Sequence, residues 1–177
     1  MTNTAKQHIE SNADEGRTFD ALVIGAGFSG LYQLISLRDR LGLSVKLLEA
    51  GSGVGGTWYW NRYPGARCDS ESHSYGYTFS EEMMRDWEWS ERYPGPPEIL
   101  RYLNYVADRF DLKRDIQFDT CVISAHYDVA KNVWRVTTSA GEAFSAKFLI
   151  AAVGCLSTAN IPNIPGLESF RGNWYHT

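Results

Sequence analysis

Apolar residues occur along the chain in two patterns: short continuous runs, and positions spaced as on one face of a helix. Residues 19–24, FDALVI, are apolar apart from one aspartate and end in glycines, which is typical of a strand buried in a parallel sheet. From residue 29 to 41 the apolar positions fall on one helical face, and Gly42 stands where a C-terminal cap is expected. Residues 44–48 then predict a second strand. Residues 19–49 are therefore predicted to form one βαβ unit.

The next stretch, residues 51–77, is rich in glycine and aromatic side chains. Its apolar residues follow neither the helical nor the strand period, so it predicts a long loop. Ordered loops of this length are often functional. A second helix is predicted to begin at Pro97 and to run to about Phe110, because apolar residues recur there at three- and four-residue steps. We expect this helix to pack as part of the scaffold.

Short strands are predicted after this helix at residues 121–127, 133–138 and 143–146, separated by turns, and together they indicate a β-meander. Residues 147–153, KFLIAAV, form a buried-type run that meets Gly154. This run predicts a strand that rejoins the parallel sheet. The fold class is accordingly α/β, with a Rossmann-like parallel sheet, an inserted β-meander and a long loop.

Composition narrows the classes of function. The 177 residues are 44% apolar and 14% aromatic, as expected of one globular domain. A net charge of -4 gives no basic surplus for nucleic acid or anionic lipid. The three cysteines form neither a C-x-x-C pair nor a zinc pattern, so we expect no metal and no disulfide framework.

The amino-terminal residues 1–17 are polar and without an apolar period, and we expect a disordered tail there. Neither a signal peptide nor a membrane span is predicted from any apolar run. We therefore expect a soluble protein of the reducing cytoplasm, with no membrane partner. Its oligomeric state is not predicted.

The candidate chemistry begins with a G-x-G-x-x-G fingerprint between the first strand and the first helix. Gly25 allows the tight turn, Gly27 lets the backbone approach a diphosphate, and Gly30 lets helix and strand pack closely. Phe28 and Ser29 lie inside the fingerprint, at the helix N-terminus where phosphates bind, and are counted as cofactor-binding residues. Ordinary turn glycines are the alternative, but the flanking strand and helix favour a dinucleotide site.

Glu49, at the end of the second predicted strand, completes the pattern of a dinucleotide site. Its carboxylate is predicted to accept hydrogen bonds from ribose hydroxyls and to repel a 2'-phosphate. FAD and NAD both remain as cofactors of this first site. The alternative is a simple solvated acid at a strand end.

The loop at residues 55–69, GGTWYWNRYPGARCD, resembles the loop of Baeyer-Villiger flavin monooxygenases, especially the branch with phenylacetone and steroid monooxygenases. The likeness continues through Tyr75, residues 79–82 and residues 97–100. Residues 170–177 resemble the first part of the family's F-x-G-x-x-x-H-x-x-x-W-P signature, and the Trp-Pro portion is missing. The resemblance therefore implies a truncated member of the flavoproteins with two dinucleotide-binding domains.

The same resemblance implies roles for particular residues. The residues that it places along FAD are Gly56, Thr57, Trp58, Asp69 and Tyr75. It also brings the segment Arg67-Cys68-Asp69 close to NADP and gives Val122 a backbone contact with adenine. Asp69 is the one catalytic assignment, because by resemblance it helps to hold a catalytic arginine that lies beyond this chain.

Physical considerations agree with some of these roles and offer alternatives to others. Glycines allow the backbone to lie against a cofactor, and the rings of Trp58 and Tyr75 can cover a flavin and exclude water. Arg67 and Asp69 could instead form a plain surface ion pair. Cys68 and Cys155 are expected to be inert thiols. Four aromatic residues are interpreted as packing side chains rather than site residues: Trp60, Tyr63, Trp87 and Trp89. His176 is interpreted as a linker residue.

By resemblance, the activity is that of an enzyme in which NADPH reduces FAD and the reduced flavin captures O2. The flavin C4a-peroxide then converts a ketone into an ester or lactone. The second glycine fingerprint, the catalytic arginine and the substrate pocket are absent from this sequence, so we expect the chain alone to be inactive. The expected domains are a tail at 1–17, an FAD-binding domain at 18–160 and the start of a linker to an NADPH domain at 161–177.

Other flavoproteins and one non-enzyme class remain as alternatives. An N- or S-oxidising flavin monooxygenase shares the glycine turn but fits the W-x-x-x-R-Y-P-G-x-R-x-D loop less well. A disulfide reductase would need a redox pair of cysteines, which the sequence lacks. The sole argument for a non-catalytic dinucleotide-binding module is that the second half of such an enzyme is missing from this sequence.

Overall fold

The computed structural model describes residues 17–176. The predicted tail, apart from Arg17, lies outside the described residues, and so does Thr177, the last residue of the stretch that resembles the family signature. Arg17 itself is the first residue of a strand and pairs with Phe144. Strand pairing is therefore seen one residue before the predicted start of the FAD-binding domain at residue 18.

Six strands and four α-helices make up the described part of the chain. The strands are β1 (Arg17–Ile24), β2 (Val45–Leu48), β3 (Ile116–Gln117), β4 (Val122–Asp128), β5 (Val133–Thr138) and β6 (Ala143–Ala151). The α-helices are α1 (Phe28–Ile35), α2 (Thr57–Trp60), α3 (Glu81–Asp86) and α4 (Pro96–Arg109). A π-helical turn at Ser36–Arg40 continues α1, and short 3-10 turns lie at Ser72–Ser74 and Lys113–Asp115.

The strands form a single sheet in the order β3-β2-β1-β6-β5-β4. The four strands β3, β2, β1 and β6 run parallel, whereas β5 and β4 continue the sheet antiparallel as a meander. The predicted α/β class with a parallel sheet and a β-meander is confirmed. Because β1 lies between β2 and β6, its carboxyl end opens where the parallel strands end, which is where ligands bind in sheets of this type.

β6 joins two predicted strands into one. Its first half pairs with β5, and the whole strand pairs with β1 from Arg17↔Phe144 to Ile24↔Ala151. The prediction of a buried strand at residues 147–153 is wrong in part, because Phe148 is 57% exposed. Apolar residues in a run do not reveal whether another layer covers them, and here none of residues 147–153 is fully buried.

The main core lies between the sheet and the helices α1 and α4. It includes Leu31 and Leu34 of α1 and Leu103 and Val106 of α4, all fully buried. The predicted scaffold role of α4 is therefore confirmed, and its start at Pro96 precedes the predicted Pro97 by one residue. Burial on this face anchors both helices against the strands that carry the glycine turn.

Three short elements were not predicted. β3 adds a two-residue parallel edge beside β2, and α2 lies inside the stretch predicted as loop. α3 begins after Ser80, whose hydroxyl accepts a hydrogen bond from the backbone N–H of Met83 at 3.3 Å. Within residues 17–176, none of the helices has the length and apolar character needed to cross a bilayer.

Candidate functional site

The glycine fingerprint forms a tight turn at the carboxyl end of β1. Gly25 has a φ of +102°, and a Cβ there would lie 2.5 Å from the backbone oxygen of Ala152. A Cβ on Gly30 would lie 1.8 Å from the backbone oxygen of Gly25. Both positions exclude a side chain, so the predicted tight turn and close helix packing of the fingerprint are seen directly.

The loop that follows β2 docks on this turn. Gly56 has a φ of +53°, and a Cβ on it would come within 2.9 Å of the Cα of Gly27. The Gly55 N–H donates to the backbone oxygen of Ala26 at 3.0 Å. Two glycine motifs that are separate in sequence thus meet backbone to backbone, and α2 begins at this contact.

The first turn of α1 leaves backbone donors free. Among the described residues 17–176, the N–H groups of Phe28 and Ser29 have no acceptor, and Gly27 offers no side-chain cap. Ser29 is also exposed. Unpaired N–H groups at a helix N-terminus bind anions such as phosphate, so the turn suits the diphosphate of a dinucleotide.

Glu49 is buried, at 4% exposure, and its carboxylate holds two backbone segments together. Its Oε2 accepts from the Ala26 N–H at 2.6 Å, and its Oε1 accepts from the Gly51 N–H at 2.7 Å. The alternative of a solvated strand-end acid is therefore wrong. Each oxygen has a second lone pair, so the carboxylate can still accept a ribose hydroxyl, and that role stays a prediction.

The chain entering β4 runs beside the end of β2. The N–H of Asp119 donates to Gly51 at 3.0 Å and that of Thr120 donates to Glu49 at 2.8 Å, both to backbone oxygens. Val122 begins β4 two residues later and packs against the small cluster that contains Leu48. Val122 thus lies close in sequence to the residues bonded to Glu49, and its adenine contact stays a prediction.

Trp58, Tyr75 and Phe28 form one aromatic group beside the glycine turn. The Trp58 Nε1–H donates to the Tyr75 hydroxyl at 3.0 Å, and their ring centroids lie 5.9 Å apart, edge to face. The rings of Tyr75 and Phe28 are 5.0 Å apart. Burial raises the pKa of Tyr75 above its ordinary value. The structure brings together these predicted FAD-lining rings, with Thr57 next to Trp58 at the start of α2.

The segment of residues 67–69 alternates between outward and inward side chains. Arg67 bonds to the backbone oxygen of Tyr93 at 2.6 Å and forms an ion pair with Glu91, so the alternative of an Arg67–Asp69 pair is wrong. Cys68 is buried, and its N–H donates to the backbone oxygen of Pro94 at 3.1 Å. Asp69 is exposed and has no hydrogen-bond or ion-pair partner within residues 17–176. Its carboxylate is available to a partner group.

A cavity of about 680 Å³ beside Trp58 was not foreseen from the sequence. It lies between the loop and the start of α4, and Arg62, Tyr63, Arg67 and Leu100 are among its lining residues. The residues come from two stretches without any shared motif, so no sequence signal could have indicated the cavity.

The three cysteines are free, and within residues 17–176 no cluster of potential metal ligands occurs.

The predicted packing aromatics divide into two kinds. Trp87 and Trp89 pack on the main core, with ring centroids 5.2 and 5.1 Å from Tyr102, as predicted. Trp60 and Tyr63 are exposed, Trp60 at 60%, so the packing interpretation is wrong for them. The Trp60 ring packs edge to face on that of its neighbour Tyr59, with 4.9 Å between the centroids, and not on the core.

Buried phenols next to this aromatic group predict a stability loss at high pH. Burial raises the pKa of Tyr102 from 10.0 to about 12, and it also raises the pKa of Tyr77. Since the folded pKa exceeds the unfolded value, the stabilisation is complete below pH 10 and is lost as the pH rises toward about 12. We expect Tyr102→Phe to flatten the fall in unfolding free energy over this interval in urea titrations.

The exposed Tyr175 provides the matched control for this experiment. Tyr175→Phe should leave the pH dependence of the unfolding free energy unchanged. An equally steep loss in Tyr102→Phe and in the parent chain would contradict the assignment to buried phenols.

Comparison with known proteins gives matches over nearly the whole described chain. The family described as flavin-binding monooxygenase-like matches residues 20–177. A phenazine N-monooxygenase of Lysobacter antibioticus is 52% identical over 90% of this chain, and a Baeyer-Villiger monooxygenase of Pseudooceanicola batsensis is 48% identical over 95%. The chain spans 29% and 31% of the lengths of these two relatives. A solved structure of oxidised steroid monooxygenase bound to NADP is 55% identical, with a TM-score of 0.79 over 85% of this chain and 29% of that one.

Proposed function

The chain belongs to the flavin-binding monooxygenase-like family, and from this premise we propose that it binds FAD as the amino-terminal part of a Baeyer-Villiger monooxygenase. The whole enzyme would use NADPH and O2 to convert a ketone into an ester or lactone. The observation that carries the proposal is the docking of Gly56 on Gly27 beside the free N–H groups of α1. Fold likeness alone would not be sufficient, since one fold hosts many functions.

The diphosphate of FAD would lie on the N–H groups of Phe28 and Ser29, where the helix dipole favours negative charge. Gly27 carries no side chain into this space, and a Cβ there would have only the Gly56 backbone within 4 Å. Glu49 would accept the ribose hydroxyls, and the backbone of Val122 would contact adenine. The buried carboxylate disfavours a 2'-phosphate here, which supports FAD over NADP at this site.

The flavin ring would lie against the loop that follows β2. When bound, FAD supplies the redox chemistry, and the protein binds it, orients it and excludes water. Gly56 and Thr57 would present backbone to the cofactor, while the Trp58–Tyr75 pair would cover one side of it. NADP would approach the segment 67–69 from the exposed side.

Asp69 would act on a group supplied by the remainder of the enzyme. Its carboxylate is exposed and unpaired within residues 17–176, so it can hold an arginine side chain in place. The further proposals are a linker at residues 161–177 toward an NADPH-binding domain, a location in the cytoplasm, and a small ketone and O2 as the partners of the whole enzyme.

Nitrogen oxidation is the second candidate reaction. It is favoured by the 52% identity to a protein named phenazine N-monooxygenase. The residues that bind FAD would be the same in both reactions, so only substrate tests on the family-length enzyme can separate them. Product analysis with a cyclic ketone and with an aromatic N-heterocycle would identify the reaction.

FAD binding to this chain tests the core of the proposal directly. We expect purified protein to bind one FAD per chain in equilibrium dialysis and to show the visible spectrum of oxidised flavin. FAD should displace NAD, because both would compete for the same turn. A protein that binds NAD tightly and FAD not at all would overturn the cofactor assignment.

Gly27→Ala tests the cofactor-binding role of Gly27 without disturbing the fold. A Cβ at Gly27 would make only an ordinary contact, 3.5 Å from the Cα of Gly56, so the variant should fold. The added methyl group would occupy the space in which the diphosphate approaches the backbone. We expect FAD affinity to fall by about tenfold or more, with an unchanged midpoint of urea unfolding. Parent-like affinity in this variant would argue against the diphosphate position.

A further inference from the structure

Residues 90–94, which we call the strap, lie directly before α4 and hold a part of the loop that follows α2. The N–H of Cys68 donates to the backbone oxygen of Pro94 at 3.1 Å, and the N–H of Ser72 donates to the backbone oxygen of Arg92 at 2.8 Å. Two ion pairs join the same two stretches: Arg67 with Glu91, and Arg92 with Glu71. The strap therefore fixes this part of the loop at both of its ends.

The part of the loop that the strap holds carries two residues of the candidate site. Asp69 lies between Cys68 and Ser72, the two residues whose N–H groups are bonded to the strap. Tyr75 follows, and its N–H donates to the backbone oxygen of Ser72 at 3.0 Å. The Tyr75 hydroxyl in turn accepts from the indole of Trp58. A displaced strap would therefore move both the free carboxylate of Asp69 and the Trp58–Tyr75 pair.

Glu98, in the first turn of α4, joins the strap to that helix. It is buried, at 7% exposure, and its Oε1 accepts a hydrogen bond from the backbone N–H of Ser90 at 2.8 Å. The guanidinium of Arg101 lies 3.9 Å from the same oxygen. The other oxygen, Oε2, is buried and has no hydrogen-bond partner within residues 17–176. A buried carboxylate with one unpaired oxygen costs stability, so packing alone does not explain a glutamate at this position.

We propose that Glu98 is a positioning residue of the flavin site: by holding the strap against α4, it sets where Asp69 and the Tyr75 ring lie relative to the flavin. The inference rests on the proposed function only for the ligand that these two residues face. α4 is a rigid attachment, because buried residues such as Leu103 fix it in the main core. Ser90 is exposed, so without the carboxylate its N–H would bond to water and the strap would be free to leave the helix.

Three substitutions of Glu98 distinguish its hydrogen bond from its charge. Glu98→Ala removes the acceptor of the Ser90 N–H, and Glu98→Asp keeps the charge but withdraws the carboxylate by one methylene group. Glu98→Asp is the milder change and decides the outcome where Glu98→Ala does not fold. Glu98→Gln keeps an oxygen for Ser90, and the NH2 group in place of Oε2 breaks no hydrogen bond within residues 17–176. Glu88→Ala is the control for loss of a carboxylate, because Glu88 is exposed and precedes the strap.

Hydrogen exchange of the chain without FAD tests the attachment of the strap. We expect the Ala and Asp variants to raise the exchange rate at the N–H groups of Cys68, Ser72 and Tyr75 by about tenfold, with unchanged exchange in β1 and β6. Glu98→Gln and Glu88→Ala should exchange as the parent does. Parent-like rates at these three N–H groups in Glu98→Asp, or an equal rise throughout the sheet, would overturn the proposal.

The spectra of bound flavin test the consequence for the site, since aromatic rings that cover a flavin quench its fluorescence and alter its visible circular dichroism. In Glu98→Ala and Glu98→Asp we expect brighter flavin emission and changed dichroism. FAD affinity should stay within about threefold of the parent's, because the diphosphate would lie at the distant glycine turn. Glu98→Gln should restore both signals.

Parent-like flavin spectra in Glu98→Asp would also overturn the proposal. If the parent chain bound no FAD, the proposed function would fail, whereas hydrogen exchange would still decide whether Glu98 holds the strap and, through it, Tyr75.

Discussion

Gly30→Ala is expected to eliminate FAD binding and to destabilise the fold more than any other single methyl group added to the glycine turn. The new Cβ would lie 1.8 Å from the backbone oxygen of Gly25, and 2.9 Å from its carbonyl carbon. Backbone cannot move aside as a flexible side chain can, so α1 must shift away from β1. We expect a loss of about 3 kcal/mol in the free energy of unfolding, at the upper end of overpacking costs.

Urea unfolding and FAD titration measure the two effects of this variant. Gly53→Ala is the matched control, because its Cβ would meet only the Tyr59 ring at an ordinary 3.5 Å. The control should retain both stability and FAD affinity. If Gly30→Ala unfolded at the parent's urea concentration and bound FAD normally, the tight packing of α1 on β1 would be disproved.

Glu49→Gln is expected to have the second largest effect, because the carboxylate accepts hydrogen bonds from two buried backbone donors. An amide has only one oxygen, so its NH2 group must face the N–H of either Ala26 or Gly51. A buried donor left without an acceptor costs about 1–3 kcal/mol. We expect a loss of stability in that range, together with weaker FAD binding because the glycine turn loses its tie to β2.

The charge of Glu49 adds a test of cofactor choice. Removing it should reduce the discrimination of the site against a 2'-phosphate, so NADP should compete with FAD better in Glu49→Gln than in the parent. Glu88→Gln is the control for a general change in net charge, because Glu88 is an exposed carboxylate in the segment that precedes α4. If Glu49→Gln kept both the parent's stability and the parent's preference for FAD over NADP, Glu49 would neither stabilise the turn nor select the cofactor.

The elements with a complete local pattern could be predicted from sequence. β1 and β2 have apolar runs bounded by glycine or acid, and α4 has regular apolar spacing after a proline, so each needed only neighbouring residues for its prediction. The glycine turn was equally clear, because φ values such as the +102° of Gly25 require glycine in any context.

The elements that depend on distant contacts could not be predicted. β3 has two residues, too few to show a period, and exists because β2 offers an edge for pairing. The four residues of α2 depend on the docking of Gly56 against Gly27. Arg67 finds Glu91 rather than Asp69 because the segment before α4 folds back over the loop. In each case the decisive partner is remote in sequence, and no local pattern encodes it.

The pairing of β1 with β6 also determines the order in which this molecule can assemble. β1 leaves the ribosome before its partner β6, whose residues 143–151 follow more than a hundred residues later. The hairpins of β4, β5 and β6 join near neighbours and can form quickly, whereas closing the long β1–β6 loop is slow. Ala152, whose N–H donates to the backbone oxygen of Ile24 at 2.9 Å and which lies against Gly25, follows directly after β6. A nascent chain therefore cannot complete its glycine turn, or capture a cofactor there, until Ala152 has been synthesised and has left the ribosome.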